Sequence, residues 1–309
     1  MELHRIYKAL ADENRLRLLR VIANGPYSVA ELQAIMQMGQ SRVSRHLKIL
    51  VEAGLARVER QGTWSYYRAA GNGNEAARLQ IDLLLRADLA GAAADEARRQ
   101  ECLERRRARA REFHQRVAPT WNKMRRELLG DGRAIQAVLE AVAGRPVVAD
   151  LGCGAGKLLE ELCRRAERAI GVDASPAMLE QARRALDGHA GCERVDLRLG
   201  QLEHLPLCDG EAQAVVMMLV LHHVAEPPLA LREVRRVLAP GGVLVVCDLC
   251  RHDHEWMRTE YGDQWLGFAD EQARQLLGEA GFEDTRLEHY QTPRVQLFLA
   301  TARAPGRTS

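Results

Sequence analysis

The run VVADLGCGAGKLLEEL, residues 147–162, sets Gly152, Gly154 and Gly156 directly after an apolar stretch. Glycine lets a chain turn tightly and approach a ligand closely. The spacing is G-x-G-x-G rather than the G-x-G-x-x-G of dinucleotide sites. An acid, Asp150, precedes it, which would repel a pyrophosphate and attract an ammonium group. Asp173, in GVDAS, ends the next apolar stretch, where a carboxylate can accept hydrogen bonds from both ribose hydroxyls. An acid for ammonium, glycines for close approach and an acid for ribose together describe an aminoacyl nucleoside.

Other chemistry-bearing residues are sparser. His222 and His223 follow a later apolar run and are candidate bases toward an acceptor, although one packed and one solvated histidine explains them as well. Cys247 and Cys250 form a single C-x-x-C, which reads as strand thiols rather than a metal site. Residues 251–268, RHDHEWMRTEYGDQWLGF, are dense in His, Trp and Tyr, and fit either a cap over a pocket or a surface helix with buried aromatics. No metal ligation is expected.

A second kind of chemistry sits near the N-terminus. On a predicted helix from Gln40 to Ala53, Gln40, Ser41, Ser44, Arg45 and Lys48 share one face, and Val43, Leu47 and Leu50 the other. A packed apolar stripe with short polar and basic side chains projecting suits a helix that enters a major groove. Arg42 is included among the expected DNA contacts, and Arg57, Arg60 and Trp64 on a following hairpin suit the flanking backbone.

The elements that must position these residues follow from periodicity. Leu3–Asn24 reads as one helix ended by Gly25-Pro26. A second helix follows Ser28 as N-cap, and the third is ended by Gly54. Residues 55–69 alternate around a Gln61-Gly62 turn as a hairpin. Helix, helix, helix, hairpin is the order of a winged helix-turn-helix. Residues 71–74 read as a hinge, and 75–130 as a helical, arginine-rich connector. Beyond it, strands at 146–151, 169–172, 195–199, 214–220 and 243–248 alternate with helices, and two more lie near 285–290 and 296–301. Such alternation implies a parallel sheet wrapped by helices.

Bulk properties agree with a two-part chain. The 309 residues carry a net charge of only +2, yet residues 1–70 hold eleven Lys/Arg against six Asp/Glu, a local basic footprint. Seven cysteines without a disulfide-like spacing read as free thiols. With no signal-peptide pattern and no apolar run long enough to span a bilayer, a cytoplasmic protein is expected.

The stretches ALADENRLRLLRVIANGPYSVAEL and QSRVSRHLKILVEAGLARVERQGTWSYYR resemble the ArsR/SmtB family of dimeric winged-helix repressors. The resemblance implies a homodimer, paired through helices near Leu3–Ala9 and Glu75–Asp88, on an inverted-repeat operator. Metal-sensing members carry a cysteine pair where this chain reads Leu32-Gln33-Ala34-Ile35-Met36, so an ordinary metal repressor is disfavoured. The glycine run, followed by DASPAMLEQAR, GQLEHLPL, VLHHV and LREVRRVLAPGGVLVVCDL, resembles class I S-adenosylmethionine-dependent methyltransferases. That resemblance implies a Rossmann-like α/β fold with a seven-stranded sheet. It also implies Met178 near the adenine, Gln201-Leu202 at the adenine edge and Leu219 beneath the ligand, with Cys153 and Ala174 in the same binding set. Gln201 stands where an acid is commoner. Phe113 and Trp121 resemble a lead-in helix that closes over the ligand.

The expected organisation is therefore a winged helix-turn-helix domain over 1–74, a connector and dimerisation region over 75–130, and a methyltransferase-like domain over 131–309. The whole resembles S-adenosylhomocysteine-responsive regulators of the methionine cycle. A regulator, as repressor, that senses S-adenosylmethionine or S-adenosylhomocysteine and an active methyltransferase that regulates its own operon share every ligand-binding residue, and both readings stand.

Overall fold

The computed structural model describes residues 2–70 and 75–306. The chain divides into two compact units, Met1–Arg106 and Arg107–Ser309. The division falls inside the stretch read as a connector, and the hinge expected at 71–74 lies outside the described residues.

In the first unit the single helix expected over Leu3–Asn24 is two, α1 (Glu2–Leu10) and α2 (Glu13–Ala23). Asp12 is the reason. Its backbone is extended, and its carboxylate accepts the Arg15 N–H at 3.0 Å as an N-cap. A two-residue strand β1 (Tyr27–Ser28) leads into α3 (Val29–Met36). Ser28 caps α3 as expected, with Glu31 completing a capping box. Gln37 turns the chain in the left-handed region, and α4 (Gln40–Glu52) follows. Val43, Leu47 and Leu50 are its buried side.

Strands β2 (Ala56–Gln61) and β3 (Trp64–Ala69) make the hairpin, and β1 adds to β3 in a three-stranded sheet. Gln61 pairs with Trp64, so the turn is Gly62-Thr63, one residue later than expected. Helix α5 (Glu75–Arg86) precedes the long α6 (Ala92–Val117). Much of α6's positive charge is neutralised inside this unit. Asp95 receives Arg17 through two contacts of 2.7 Å. Arg106 donates two bonds of 2.8 Å to Glu31 and lies over the Tyr27 ring.

The second unit begins with the last turns of α6. A 3-10 turn at Pro119 leads to α7 (Trp121–Leu129) and α8 (Arg133–Ala141). Strand and helix then alternate: β4 (Val147–Leu151), α9 (Leu159–Leu162), β5 (Arg168–Asp173), α10 (Pro176–Leu186), β6 (Val195–Leu199), β7 (Ala212–Met218), α11 (Pro227–Val237) and β8 (Leu238–Leu249). Helices α12 (Trp256–Glu260) and α13 (Asp270–Glu279) precede β9 (Glu283–Gln291) and β10 (Gln296–Arg303).

The seven strands form one sheet in the order β6-β5-β4-β7-β8-β10-β9. The first five run parallel, as expected, but β10 is antiparallel to both β8 and β9. The short 292–295 link permits only a hairpin, since a parallel pair needs a crossover. Buried aliphatics of β4, β7, β8 and β10 carry the core, among them Val148, Val216, Val245 and Leu297.

Glu31 supports the first unit disproportionately. It accepts from Ser28 N and Oγ as well as from Arg106. Burial pushes its carboxyl up, yet the Arg106 charge and the Arg106 and Ser28 donors outweigh this and hold it below 4.5. Glu31→Ala removes the acid that faces the largely buried Arg106 guanidinium and is expected to cost about 3 kcal/mol in denaturant unfolding, the low end for such a loss. The Glu31→Ala/Arg106→Met double variant should recover part of it. Because the folded pKa is depressed, this stabilisation is present above about pH 4.5 and is lost as pH falls through the folded value. An equal loss in single and double variants would contradict the assignment.

Candidate functional site

The carboxyl edge of the parallel strands is built by two loops. After β4, Gly152 and Cys153 both donate to Val172 O, at 2.7 and 3.0 Å, folding the glycine loop onto the end of β5. Gly152 has φ +72°, and a Cβ there would stand 2.3 Å from Val220 Cγ2. Gly156 has φ +78°, and a Cβ would meet the Ala182 Cβ of α10 at 3.0 Å. These two glycines thus admit neighbouring protein, a role beyond the ligand approach expected of them.

Asp173 fastens the loop. One carboxylate oxygen accepts the Gly154 N–H at 2.9 Å and the other the Ser175 N–H at 2.8 Å. Burial raises its pKa, and the backbone donors of Ser175, Gly154 and Ala174 pull it back. Each oxygen keeps acceptor capacity for a further donor. Ser175 also caps α10 through Met178 N.

A cavity enclosing about 780 Å³, part of it open solvent, lies along this edge. Its wall includes Gly152, Gly154, Asp173, Ala174, Met178, Gln201, Leu202, Leu219 and His223, all expected residues, and also Trp121. The fit is an acceptor on one side and apolar side chains for a flat base. Leu219 is in the left-handed region at φ +55°, which is costly for a leucine, and its N–H is held by Cys247 O at 2.8 Å.

Three expected residues are not on that wall. Asp150, Cys153 and His222 are buried. Burial raises Asp150 to about 7, and the positive charge of Arg125 opposes this. Phe113 is likewise off the wall and buried. Sequence periodicity missed Arg107, Ala110, Arg111 and His114, which line the cavity from one face of α6. Their i, i+3, i+4, i+7 spacing marks a common face without saying what it covers.

The histidine turn after β7 is braced from below. His222 Nδ1 is 2.6 Å from Asp248 Oδ1, and its Nε2 is 3.6 Å from Asp263 Oδ1. Burial alone lowers His222, but Asp248 and Asp263 reverse it and carry it to about 9. His223 and His114 are pushed down by burial and by neighbouring imidazoles, His114 to about 4, so both cavity-lining rings are neutral. Their centroids are 4.6 Å apart, edge to face. The 251–268 segment is not a cap. Gln264 and Trp265 donate to the backbone oxygens of His222, His223 and Val224, and Met257, Tyr261, Trp265 and Phe268 are buried. Cys247 and Cys250 are free thiols raised by burial to about 12 and 11.

In the first unit, Gln40, Ser41, Arg42, Ser44, Arg45 and Lys48 are all exposed on α4, and Arg60 and Trp64 are exposed on the hairpin. Residues 12–58 match the arsR family of bacterial regulatory proteins, and residues 149–246 match the methyltransferase domain family.

The chain joins an ArsR-family helix-turn-helix to a class I methyltransferase domain.

The helix-turn-helix implies DNA binding, and the methyltransferase fold implies binding of S-adenosylmethionine. An uncharacterised 37.1 kDa protein of a Streptomyces fradiae transposon is 43% identical over 114 residues, 35% of this chain and 32% of that protein. A ubiquinone biosynthesis O-methyltransferase of Cereibacter sphaeroides is 32% identical over 117 residues, 38% of this chain and 47% of the enzyme. The chain thus spans about a third to a half of the length of these curated relatives. An S-adenosylmethionine-dependent methyltransferase of Thermotoga maritima superposes with a TM-score of 0.51 at 21% identity, over 62% of this chain and 99% of that one. A chain from the complex of the Haloferax volcanii Trm112 methyltransferase activator gives 0.52 at 21%, over 62% and 97%. At such identities the likeness shows the fold. Among the described residues no helix is long and apolar enough to cross a membrane.

The two faces should separate by mutation. Asp173→Ala removes charge-assisted acceptors worth about 1.5–3 kcal/mol each and should weaken S-adenosylmethionine and S-adenosylhomocysteine alike by tenfold or more. DNA affinity of the ligand-free protein should not change. Arg45→Ala and Lys48→Ala should do the reverse and flatten the salt dependence of DNA binding by about one unit of slope each. Calorimetry and fluorescence anisotropy read the two affinities, and an unchanged salt slope would remove α4 from the groove.

Proposed function

We propose that this chain is a DNA-binding transcriptional regulator, acting as a repressor, whose methyltransferase domain binds S-adenosylmethionine or S-adenosylhomocysteine as its effector. The observation that carries the reading is the double use of α6. Its residues Asp95, Arg98 and Arg106 pack against α2 and α3 of the ArsR-type unit, while Arg107, Ala110, Arg111 and His114 line the cavity. A ligand touching the second set acts on a helix that also completes the DNA-binding unit. Effector control requires differential affinity for DNA-competent and incompetent states, typically about 1–3 kcal/mol.

The regulator is a cytoplasmic homodimer on an inverted repeat. Supporting this, α1 exposes Leu3 and Tyr7 at 51% and 53%, and α5 exposes Leu79 and Leu83 at 52% and 62%. Each pair is four residues apart, an apolar stripe suited to a partner helix. Two recognition helices on a two-fold axis then read half-sites one or more helical turns apart. The site residues proposed for the ligand are Asp173, Ala174, Met178, Gln201, Leu202, Leu219 and the glycine loop.

A second reading is an active methyltransferase that regulates its own operon. S-adenosylmethionine supplies an electrophilic methyl group when bound, and His114 and His223 stand edge to face on the cavity wall, where an acceptor would meet them.

Operator binding in the presence of each ligand tests the proposal. A saturating effector should change the operator Kd of the wild type by about 5–150-fold and leave Asp173→Ala unmoved. Leu79→Lys/Leu83→Lys should sediment as a monomer with weakened operator binding. Equal operator affinity with and without either ligand, together with turnover of S-adenosylmethionine, would replace the regulator with the enzyme reading.

A further inference from the structure

Beneath the cavity wall three potential ligand atoms converge in a buried cluster. His222, His223 and Asp263 each offer one, all within 4.8 Å of one another, and all three residues are buried. They come from two places in the chain, the turn after β7 and the loop after α12, held together by Gln264 and Trp265 N–H groups on His222 O.

Each group is oriented rather than merely near. His222 Nδ1 faces the Asp248 carboxylate at 2.6 Å, which directs the opposite nitrogen, Nε2, toward Asp263 Oδ1 at 3.6 Å. His223 Nδ1 faces Gly262 O at 3.4 Å, and its Nε2 finds no hydrogen-bond partner among the described residues. Neither Asp263 oxygen accepts a hydrogen bond from a described residue. The His222 ring faces this carboxylate from 3.6 Å.

Metal-ligating histidines characteristically give their second nitrogen to a carboxylate or a backbone carbonyl, and both partners are present here. Two ligands bound at about 2.0–2.1 Å in tetrahedral geometry lie roughly 3.3–3.4 Å apart, close to the separation of His222 Nε2 and Asp263 Oδ1.

We infer that His222, His223 and Asp263 form a binding site for one divalent transition-metal ion, with Asp248 and Gly262 as the groups that orient the two imidazoles. Two imidazoles and one carboxylate select a borderline ion such as zinc, cobalt or ferrous iron over calcium or magnesium, which prefer all-oxygen sites. Three protein ligands leave a coordination position open. His223 also stands on the wall of the ligand cavity, which sets the ion beside it. The inference rests on side-chain geometry alone and holds whether the domain senses its ligand or methylates an acceptor.

The test uses the full chain stripped with a chelator and titrated with cobalt(II), then with zinc as competitor. One cobalt per chain should give a d–d spectrum of nitrogen and oxygen coordination without a thiolate charge-transfer band, and zinc should displace it. Asp248→Asn should weaken cobalt binding about 10–100-fold, and Asp263→Asn and His223→Gln should weaken it more. Far-UV circular dichroism checks the fold of each variant. If one variant fails to fold, the others carry the comparison. Wild-type protein that shows no such spectrum, or folded Asp263→Asn or His223→Gln that binds cobalt as the wild type does, overturns the assignment.

Discussion

The cavity depends on the Asp173 carboxylate. Its two oxygens take the N–H groups of Gly154 and Ser175, and its backbone oxygen takes Gly200 N at 3.1 Å. One residue thus holds the glycine loop, the start of α10 and the chain after β6 against the end of β5. The strands end here because the parallel ladder stops, and the loops that continue must satisfy their backbone groups locally. A buried acid satisfies several at once while keeping lone pairs toward the cavity. Leu219 in its left-handed conformation and Val220 against Gly152 close the other side, so backbone strain and steric fit sit where the ligand would lie.

Charge is apportioned in a way the net value of +2 hides. Several arginines of α6 face acids within their own units, Arg98 and Arg106 meeting Asp95 and Glu31 in the first and Arg107 meeting Glu203 and Glu226 in the second. On α4, by contrast, Arg42, Arg45 and Lys48 remain exposed. The basic run of α6 is therefore partly internal scaffolding, and Arg105, Arg109 and Arg116 stay exposed on it.

Periodicity made the helix-turn-helix and the seven strands legible, because alternation and helical spacing report burial directly. It could not report what a buried face meets. Arg107 and His114 share a face of α6, yet only the fold turns that face to the cavity. The break at Asp12 was hidden because apolar spacing continues across a capping residue. Asp150 was read as the partner of a ligand ammonium, and the fold also brings it the Arg125 charge from a helix earlier in the sequence. Asp263 lies in an irregular segment some forty positions from His222, so no spacing rule joins them. Cavity-lining residues at strand ends were readable, and groups brought together by loops were not.

The proposed regulator requires that the cavity and the α4 face share one equilibrium. Linkage requires that if the ligand alters operator affinity, the operator alters ligand affinity by the same factor. Titration calorimetry of S-adenosylmethionine and of S-adenosylhomocysteine into the free protein and into its operator complex measures this directly. The account predicts that at least one ligand binds the two forms with affinities differing by about 5–150-fold. Identical affinities for both ligands in both forms would contradict it.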